Sequence, residues 1–337
     1  MKKRNLFLTI ICFLGVLIYF GLNPASKKYP QTIEQLQKVT ITQYGQNKIF
    51  LYLPLYIAME EGYFAKNGID VNLTYSGNDD QIAATVVGGY ADFGVGDPIF
   101  SAIIQERGGQ LKTIATLVEK APFIGYTNKE NIDVITNIAD FSNLVVSSFP
   151  APSTLYTNLS NLKNAHNLNI NIKPITFGAQ MAALEAGEVD VAMDLDPNVA
   201  IAEKQGYKAM ISLGQFLPPQ AITGITTRAD FVAKNPEIVQ KVINALQQAV
   251  IAFYQDETIG LRVAEKVFPN IDREVLARAV ARSRENAIYP KDLTIKDAVW
   301  QQGIAERINI GDLKHPQATD VATDNTFTTK AYQKYGK

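Results

Sequence analysis

Cysteine is nearly missing from this chain: Cys12 is the only one in 337 residues. A disulfide scaffold or a Cys-ligated zinc centre needs several thiols, so neither is available. Histidine is scarce too; His166 and His315 stand far apart and form no metal motif. An excess of either charge is also lacking, with 32 Lys and Arg against 33 Asp and Glu. A general nucleic-acid binder would carry a basic surplus to meet phosphates. Long apolar runs are limited to one, residues 6–22, which excludes a polytopic membrane protein. What remains is 47% hydrophobic and 19% charged, too apolar for a disordered chain and long enough for about two domains with proper cores.

The N-terminus, Met1-Lys2-Lys3-Arg4, leads directly into that apolar run. A basic start followed by a short apolar stretch is the layout of a secretory signal, and the positive end stays cytoplasmic. Residues 1–25 are therefore expected to be a signal peptide or signal anchor, placing the rest in the periplasm. The small-x-small cleavage pattern is poor, since Asn23 lies two places before Ala25, so anchorage of the uncleaved chain by residues 6–22 stays open. Cys12 is not preceded by the small residues of a lipidation site and reads as apolar filler. Beyond residue 25 the balance is 29 basic to 33 acidic. Residues 26–37 are polar and without period, as in a linker.

From residue 38 strand and helix patterns alternate. Strands are expected at 39–42, 69–74, 93–95, 111–117 and 123–127, with helices at 54–67, 79–87 and 98–107 between them. The same style continues with strands at 144–147, 170–175, 189–193 and 221–227. A long amphipathic helix over 236–255 places Val239, Val242, Ile243, Leu246, Val250 and Phe253 on one side. Such alternation argues an α/β fold with mainly parallel pairing.

One unit occurs twice. Gln81 to Gly88, then Asp92, then Asp97-Pro98, is echoed by Gln180 to Gly187, then Asp190, then Asp196-Pro197. In each, a small-residue helix ends at Gly, an Asp turn precedes a short strand, and Asp-Pro offers a cap for the next helix. The recurrence predicts two similarly built lobes with ligand-binding edges facing across a cleft.

The run Pro54-Leu55-Tyr56-Ile57-Ala58-Met59-Glu60-Glu61-Gly62-Tyr63-Phe64 resembles the opening of the nitrate, sulfonate and taurine and thiamine-pyrimidine-precursor binding proteins, the NMT1/THI5-like solute-binding subunits of ABC importers. Gly89-Tyr90-Ala91-Asp92-Phe93-Gly94, Ala182-Ala183-Leu184-Glu185-Ala186-Gly187 and Asp230-Phe231-Val232-Ala233-Lys234-Asn235-Pro236 continue the likeness over residues 38–310. The resemblance implies a type II periplasmic binding protein: lobe one from 38–124 plus 225–337, lobe two from 125–224, and hinge crossings at 123–127 and 223–227. It implies capture of a small polar solute by a monomer without cofactor or catalysis, and delivery to a permease and its ATPase.

Candidate ligand contacts are Tyr44, Ser76, Gly77, Asn78, Gly96, Asp97, Ser148, Ser153, Thr154, Asp194 and Asp196. The Ser76-Gly77-Asn78 turn and the Ser153-Thr154 helix start offer hydroxyls and N–H groups to an anion, or are plain caps. Family members that bind sulfonates often carry Trp in the loop where Asp194 and Leu195 stand here, so the extra carboxylates favour an amine or aminopyrimidine. Asp97 and Asp196 serve ligand or helix starts. Asp92 and Asp190 are read as structural turn residues, Glu60-Glu61 and Asp79-Asp80 as solvated faces, and Trp300 as packing. Tyr44, Phe50, Tyr52, Phe149 and Phe177 are candidates to stack on a ring. The competing readings are a membrane-tethered sensor domain and an enzyme of pyrimidine or futalosine metabolism on the same scaffold.

Overall fold

A computed structural model describes residues 36–316 and 318–337; the expected signal segment, Cys12 and most of the linker lie outside it. Among the described residues ten strands form two sets. The first contains β1 (Gln37–Gln43), β2 (Ile69–Tyr75), β3 (Phe93–Gly96), β4 (Leu111–Val118) and β10 (Thr223–Arg228), in the order β2-β1-β3-β10-β4. The second contains β5 (Ile124–Thr127), β6 (Val145–Ser148), β7 (Asn171–Pro174), β8 (Ala192–Asp194) and β9 (Lys208–Ser212). Here β8-β5-β9 and β6-β7 are joined through a parallel bridge between Val146 and Val191, which gives β7-β6-β8-β5-β9.

The two orders match term for term. In each, three strands run parallel, and one strand arriving from the other set, β10 or β5, runs antiparallel to both neighbours. Parallel pairing therefore governs the outer three strands of each sheet and fails at the strand next to its far edge. The chain passes between the sheets at 119–123 and 213–222. The segments 123–127 and 223–227, expected as crossings, run almost wholly as β5 and β10.

The repeated unit has a physical basis. Asp92 Oδ2 accepts from Thr40 N at 2.8 Å, and Asp190 Oδ2 accepts from Val145 N at 2.7 Å. Thr227 Oγ1 donates to Asp92 O at 2.7 Å, and Thr127 Oγ1 donates to Asp190 O at 2.8 Å. Each Asp thus clips a strand of its own sheet and is held in turn by the antiparallel strand. Asp190 also pairs with Lys129. Burial works to raise the Asp190 pKa, but the Lys129 and Val145 hydrogen bonds outweigh it and hold the carboxyl below its ordinary value.

Helix Pro236–Gln255 buries all six residues of its predicted stripe to 0% exposure. Each such side chain contributes roughly 1.5–3 kcal/mol of burial. It packs on helices Leu53–Glu60 and Thr326–Tyr335. The expected helix over 54–67 is instead two, Leu53–Glu60 and Tyr63–Lys66, because Gly62 adopts φ 71°, a left-handed conformation that breaks the α-helical ladder. Glu60 and Glu61 are not free faces; they pair with Lys266 and Arg262.

Replacing Asp92 or Asp190 by Ala strands a strand N–H, so each variant is expected to lose about 1–3 kcal/mol in urea unfolding. An unchanged midpoint in both would show that the repeated Asp is ornamental.

Candidate functional site

Between the two sheets lies a cavity of about 50 Å³, open to solvent. Its walls are aromatic and aliphatic: Tyr44, Tyr52, Phe123, Phe149 and Phe177, with Ile49, Leu51, Leu155, Leu195 and Ile222. The rings brace one another edge to face, Tyr44 on Phe177 at 5.9 Å and Phe149 on Phe177 at 4.9 Å. The polar lining is small: Asp79, Asp97, Ser153, Thr154 and Thr223, with the Tyr44 and Tyr52 hydroxyls. An apolar slot with a few fixed polar groups is the usual form of a small-molecule site.

Asp97 follows β3 and is already committed. Its Oδ2 accepts from Arg307 Nη2 at 2.6 Å and from Thr154 Oγ1 at 2.9 Å, and its Oδ1 accepts from Ile99 N at 2.9 Å. Arg307 comes from helix Asp297–Asn309 and is 1% exposed. It also bonds Asp312 Oδ2 and Pro152 O, each at 2.8 Å, so it ties the end of β3 to the loop before helix Thr154–Ala165. The Thr154 hydroxyl at that helix start is therefore already engaged by the protein's own carboxylate. Ser153 caps the same helix, accepting from Tyr156 N.

Among the described residues Asp79, beside this cluster, has no ion pair of its own. Its Oδ1 accepts from Asp97 N at 2.8 Å, and the residue is only 7% exposed. A Cβ on Gly96 would lie 2.6 Å from that oxygen, so Gly96 is glycine because the Asp79 carboxylate crosses it. Burial first, then repulsion from Asp97, pushes the Asp79 pKa up to about 7. Asp79 can thus accept from a solute when ionised and donate when protonated.

The other candidate residues fall into three groups. Tyr44, Asp97, Ser153 and Thr154 line the cavity, and Gly96 lies behind it. The Ser76-Gly77-Asn78 turn is engaged elsewhere: Ser76 bonds Thr42 and Thr85, Gly77 pairs backbone with Gly45, and Asn78 caps helix Asp79–Val87 reciprocally with Gln81. Ser148 donates to Phe149 O, and Asp194 accepts from Leu195 N and the Asn198 amide, buried at 1% exposure. Burial raises the Asp194 pKa to about 7. Asp196 faces Arg282 in an adjoining cavity. Of the suggested stacking residues, Tyr44, Tyr52, Phe149 and Phe177 meet in the cavity, while Phe50 lines the adjoining one. Trp300 packs with Phe100 and Ile304 in a separate apolar cluster.

Sequence reasoning missed Asp79 and Arg307. Asp79 sits within Asn78-Asp79-Asp80-Gln81, which reads as an exposed helix start, and Arg307 shows only a helical spacing. The glycine at 96 was the one local signal that something large lies opposite it. Among the described residues no His, Cys, Asp and Glu cluster is arranged to hold a metal ion.

This aromatic slot between two matching sheets is the arrangement of a two-lobed binding protein. The NMT1/THI5-like family profile matches residues 50–258, and the chain belongs to that family. It is 26% identical over 232 residues to the riboflavin-binding protein RibY of Chloroflexus aurantiacus, covering 66% of this chain and 64% of that one. The chain thus spans a little under two thirds of that relative. Among solved structures, the ligand-binding component of an ABC-type import system from Staphylococcus aureus, with zinc bound, superposes with a TM-score of 0.70 at 15% identity over 88% of this chain and 99% of that one. The periplasmic nitrate-binding protein NrtA of Synechocystis PCC 6803 gives 0.69 at 15% identity over 89% of each. The desulfurization enzyme DSZB gives 0.63 at 13% identity over 88% of this chain and 99% of that one. The fold is therefore that of periplasmic binding proteins, and it carries both transport and catalysis.

The folded state holds the Asp79 proton longer than the unfolded chain does. Stability from this group is thus full below pH about 4 and declines as pH rises from the ordinary 3.8 through about 7. Asp79→Asn is expected to flatten part of that decline in urea unfolding at pH 5 and pH 8. An equal loss in the variant and the parent would place the titration elsewhere.

Proposed function

We propose that the protein is the solute-binding component of an ABC importer and that its solute is a planar heteroaromatic bearing N–H or amino donors. The observation that carries this is Asp79, a carboxylate without an ion pair among the described residues, set in a slot of five aromatic rings. Rings take up flat apolar faces, and the carboxylate takes up an edge donor. An anion finds no welcome in the same slot. Its two charged lining groups are both carboxylates, and the Arg307 charge is spent on Asp97 and Asp312. Sulfonate and nitrate are disfavoured on this ground, as is the bare anion chemistry of the wider family.

Each sheet with its helices is one lobe, and the passages at 119–123 and 213–222 are the hinge. Closure on solute then presents the closed form to a permease and its ATPase. The basic and apolar N-terminus exports the chain to the periplasmic side, with residues 6–22 as leader or anchor. Among the described residues no helix is long and apolar enough to cross a membrane. The name of the Chloroflexus relative makes riboflavin the first heteroaromatic to try, followed by the aminopyrimidine that the family resemblance suggested.

The test is thermal unfolding with riboflavin, hydroxymethylpyrimidine, taurine and nitrate, each followed by mass spectrometry of the recovered solute. A heteroaromatic at 100 times its Kd should stabilise by about 2.7 kcal/mol and return chemically unchanged. Asp79→Ala should weaken its binding by roughly tenfold or more. A shift with taurine or nitrate and none with the heteroaromatics would overturn the solute class, and a converted solute would overturn the transport role.

A further inference from the structure

We propose that a chain of ion pairs between helix Asn198–Lys204 and helix Arg273–Glu285 latches the two lobes together, and that parting this seam admits the solute. The proposal rests on the two-lobed hinge of the proposed function and adds a gate to it, whichever solute is carried. The free space in the aromatic slot is about 50 Å³, well short of the roughly 150 Å³ cavity that takes up a benzene molecule. Rings from opposite lobes touch across it, Tyr44 on Phe177 at 5.9 Å. A ring-sized solute therefore enters only when the lobes move apart, and the contacts that bridge them set how easily they do.

Two seams bridge the lobes. In the first, helix Thr154–Ala165 packs on β6 and β7 of lobe two, and helix Asp297–Asn309 shares an apolar cluster with Ile99 and Phe100 of lobe one. The contacts between them are hydrogen bonds of buried amides. Asn158 Nδ2 donates to Glu306 Oε2 at 2.6 Å, and Asn161 Nδ2 donates to Glu306 O at 3.1 Å. Gln220, from the second passage between the sheets, is bonded to both Asn158 and Glu306. This seam is tied to the hinge itself and is closed to dissolved ions, with Asn158, Gln220 and Glu306 at most 3% exposed.

The second seam is made of charge. Helix Asn198–Lys204 packs on β5 and β9 of lobe two, and helix Arg273–Glu285 packs on helix Ile259–Val267 of lobe one. Lys204 Nζ reaches Asp272 Oδ2 at 2.8 Å and Glu274 Oε2 at 3.2 Å. Glu203 pairs with Arg282, and its Oε2 lies 3.6 Å from Arg278 Nε. Arg282 Nε lies 3.4 Å from Asp196 Oδ2. All five pairs cross from one lobe to the other and join opposite signs. Exposed ion pairs taken singly hold little, but these share Glu203, Lys204 and Arg282 as common members and so act as a network. The side chains of Lys204, Asp272 and Arg278 are about half exposed, so dissolved ions reach and screen them. Salt thus loosens the charged seam and leaves the amide seam intact.

The test is fluorescence energy transfer in the full chain, between dyes on Ala65→Cys of lobe one and Asn171→Cys of lobe two, both exposed positions, in a Cys12→Ser background. No solute is added. Transfer is expected to change as sodium chloride rises from about 0.01 M to about 1 M, over which the screening length shrinks from roughly 30 Å to roughly 3 Å, and to change in the sense of a longer distance. Lys204→Glu, which sets a carboxylate against Asp272 and Glu274, should show the longer distance already at low salt, and adding Glu274→Lys should restore part of the transfer. Thermal unfolding confirms that each variant is folded. Transfer that ignores salt overturns the latch, and a salt response that Lys204→Glu leaves unchanged overturns its assignment to this seam. A solute found by the unfolding screen supplies a second readout, since its association should be at least about twofold faster with Lys204→Glu than with the parent; an equal rate in a variant that has opened overturns the gate. None of these outcomes bears on the solute class, and failure of every solute in that screen leaves the transfer measurement decisive for the latch.

Discussion

The pair between Arg307 and Asp97 organises the centre of this molecule. A guanidinium buried to 1% exposure needs anions around it, and it finds two, Asp97 and Asp312, with a backbone carbonyl at Pro152. Removing one member of such a pair strands the other and costs about 3–5 kcal/mol. The pair fixes β3, helix Asp297–Asn309 and the start of helix Thr154–Ala165 against one another. Nearby, Asn158 donates to Gln220 at 3.0 Å and to Glu306 at 2.6 Å, so polar contact between the two halves extends along that helix. By neutralising Asp97, Arg307 leaves Asp79 as the carboxylate available to a solute. Burial first, then the neighbouring Asp97 carboxylate, holds the Asp79 proton, with Arg307 acting against them.

The two sheets show how one local recipe yields two comparable lobes. A carboxylate after a glycine-ended helix satisfies a strand N–H, and a threonine on the incoming antiparallel strand satisfies the backbone behind that carboxylate. Backbone groups inside a sheet must be paired, and this recipe pairs them where the ladder is irregular. The sheets then present their carboxyl edges to a shared cleft, where open α/β sheets bind ligands. The halves have diverged in what they place there. The first supplies Asp79 and Asp97; the second supplies rings, Phe149 and Phe177, and turns its own acids, Asp194 and Asp196, away from the aromatic slot.

The echo of Gln81–Asp97 in Gln180–Asp196 was legible because it is written in local chemistry, helix stops and turn acids. The stripe on Pro236–Gln255 was legible for the same reason. The expected Asp caps did not form, since the following helices begin at Phe100 and Asn198 without a side-chain cap. The antiparallel sense of β5 and β10 was not, since direction depends on which sheet a strand joins after crossing. The aromatic lining could be suggested but not assembled, because Tyr44, Phe149 and Phe177 meet only through the tertiary fold. Asp79 was hidden by its neighbours: a capping box at Asn78 and Gln81 marks a solvent-facing helix start, and only the absence of a side chain at Gly96 lets its carboxylate turn inward. Asp194 drew notice as a carboxylate out of place, yet Leu195 N and Asn198 supply its partners.

The central claim is that Asp79 meets the solute while Asp97 stays on Arg307. A crystal structure of the protein with its solute bound tests it most directly. The account predicts a ring N–H or amino group within hydrogen-bond distance of the Asp79 carboxylate and the Asp97–Arg307 pair intact. A solute whose anionic group rests on Arg307, with that pair broken and Asp79 facing no donor, would contradict it.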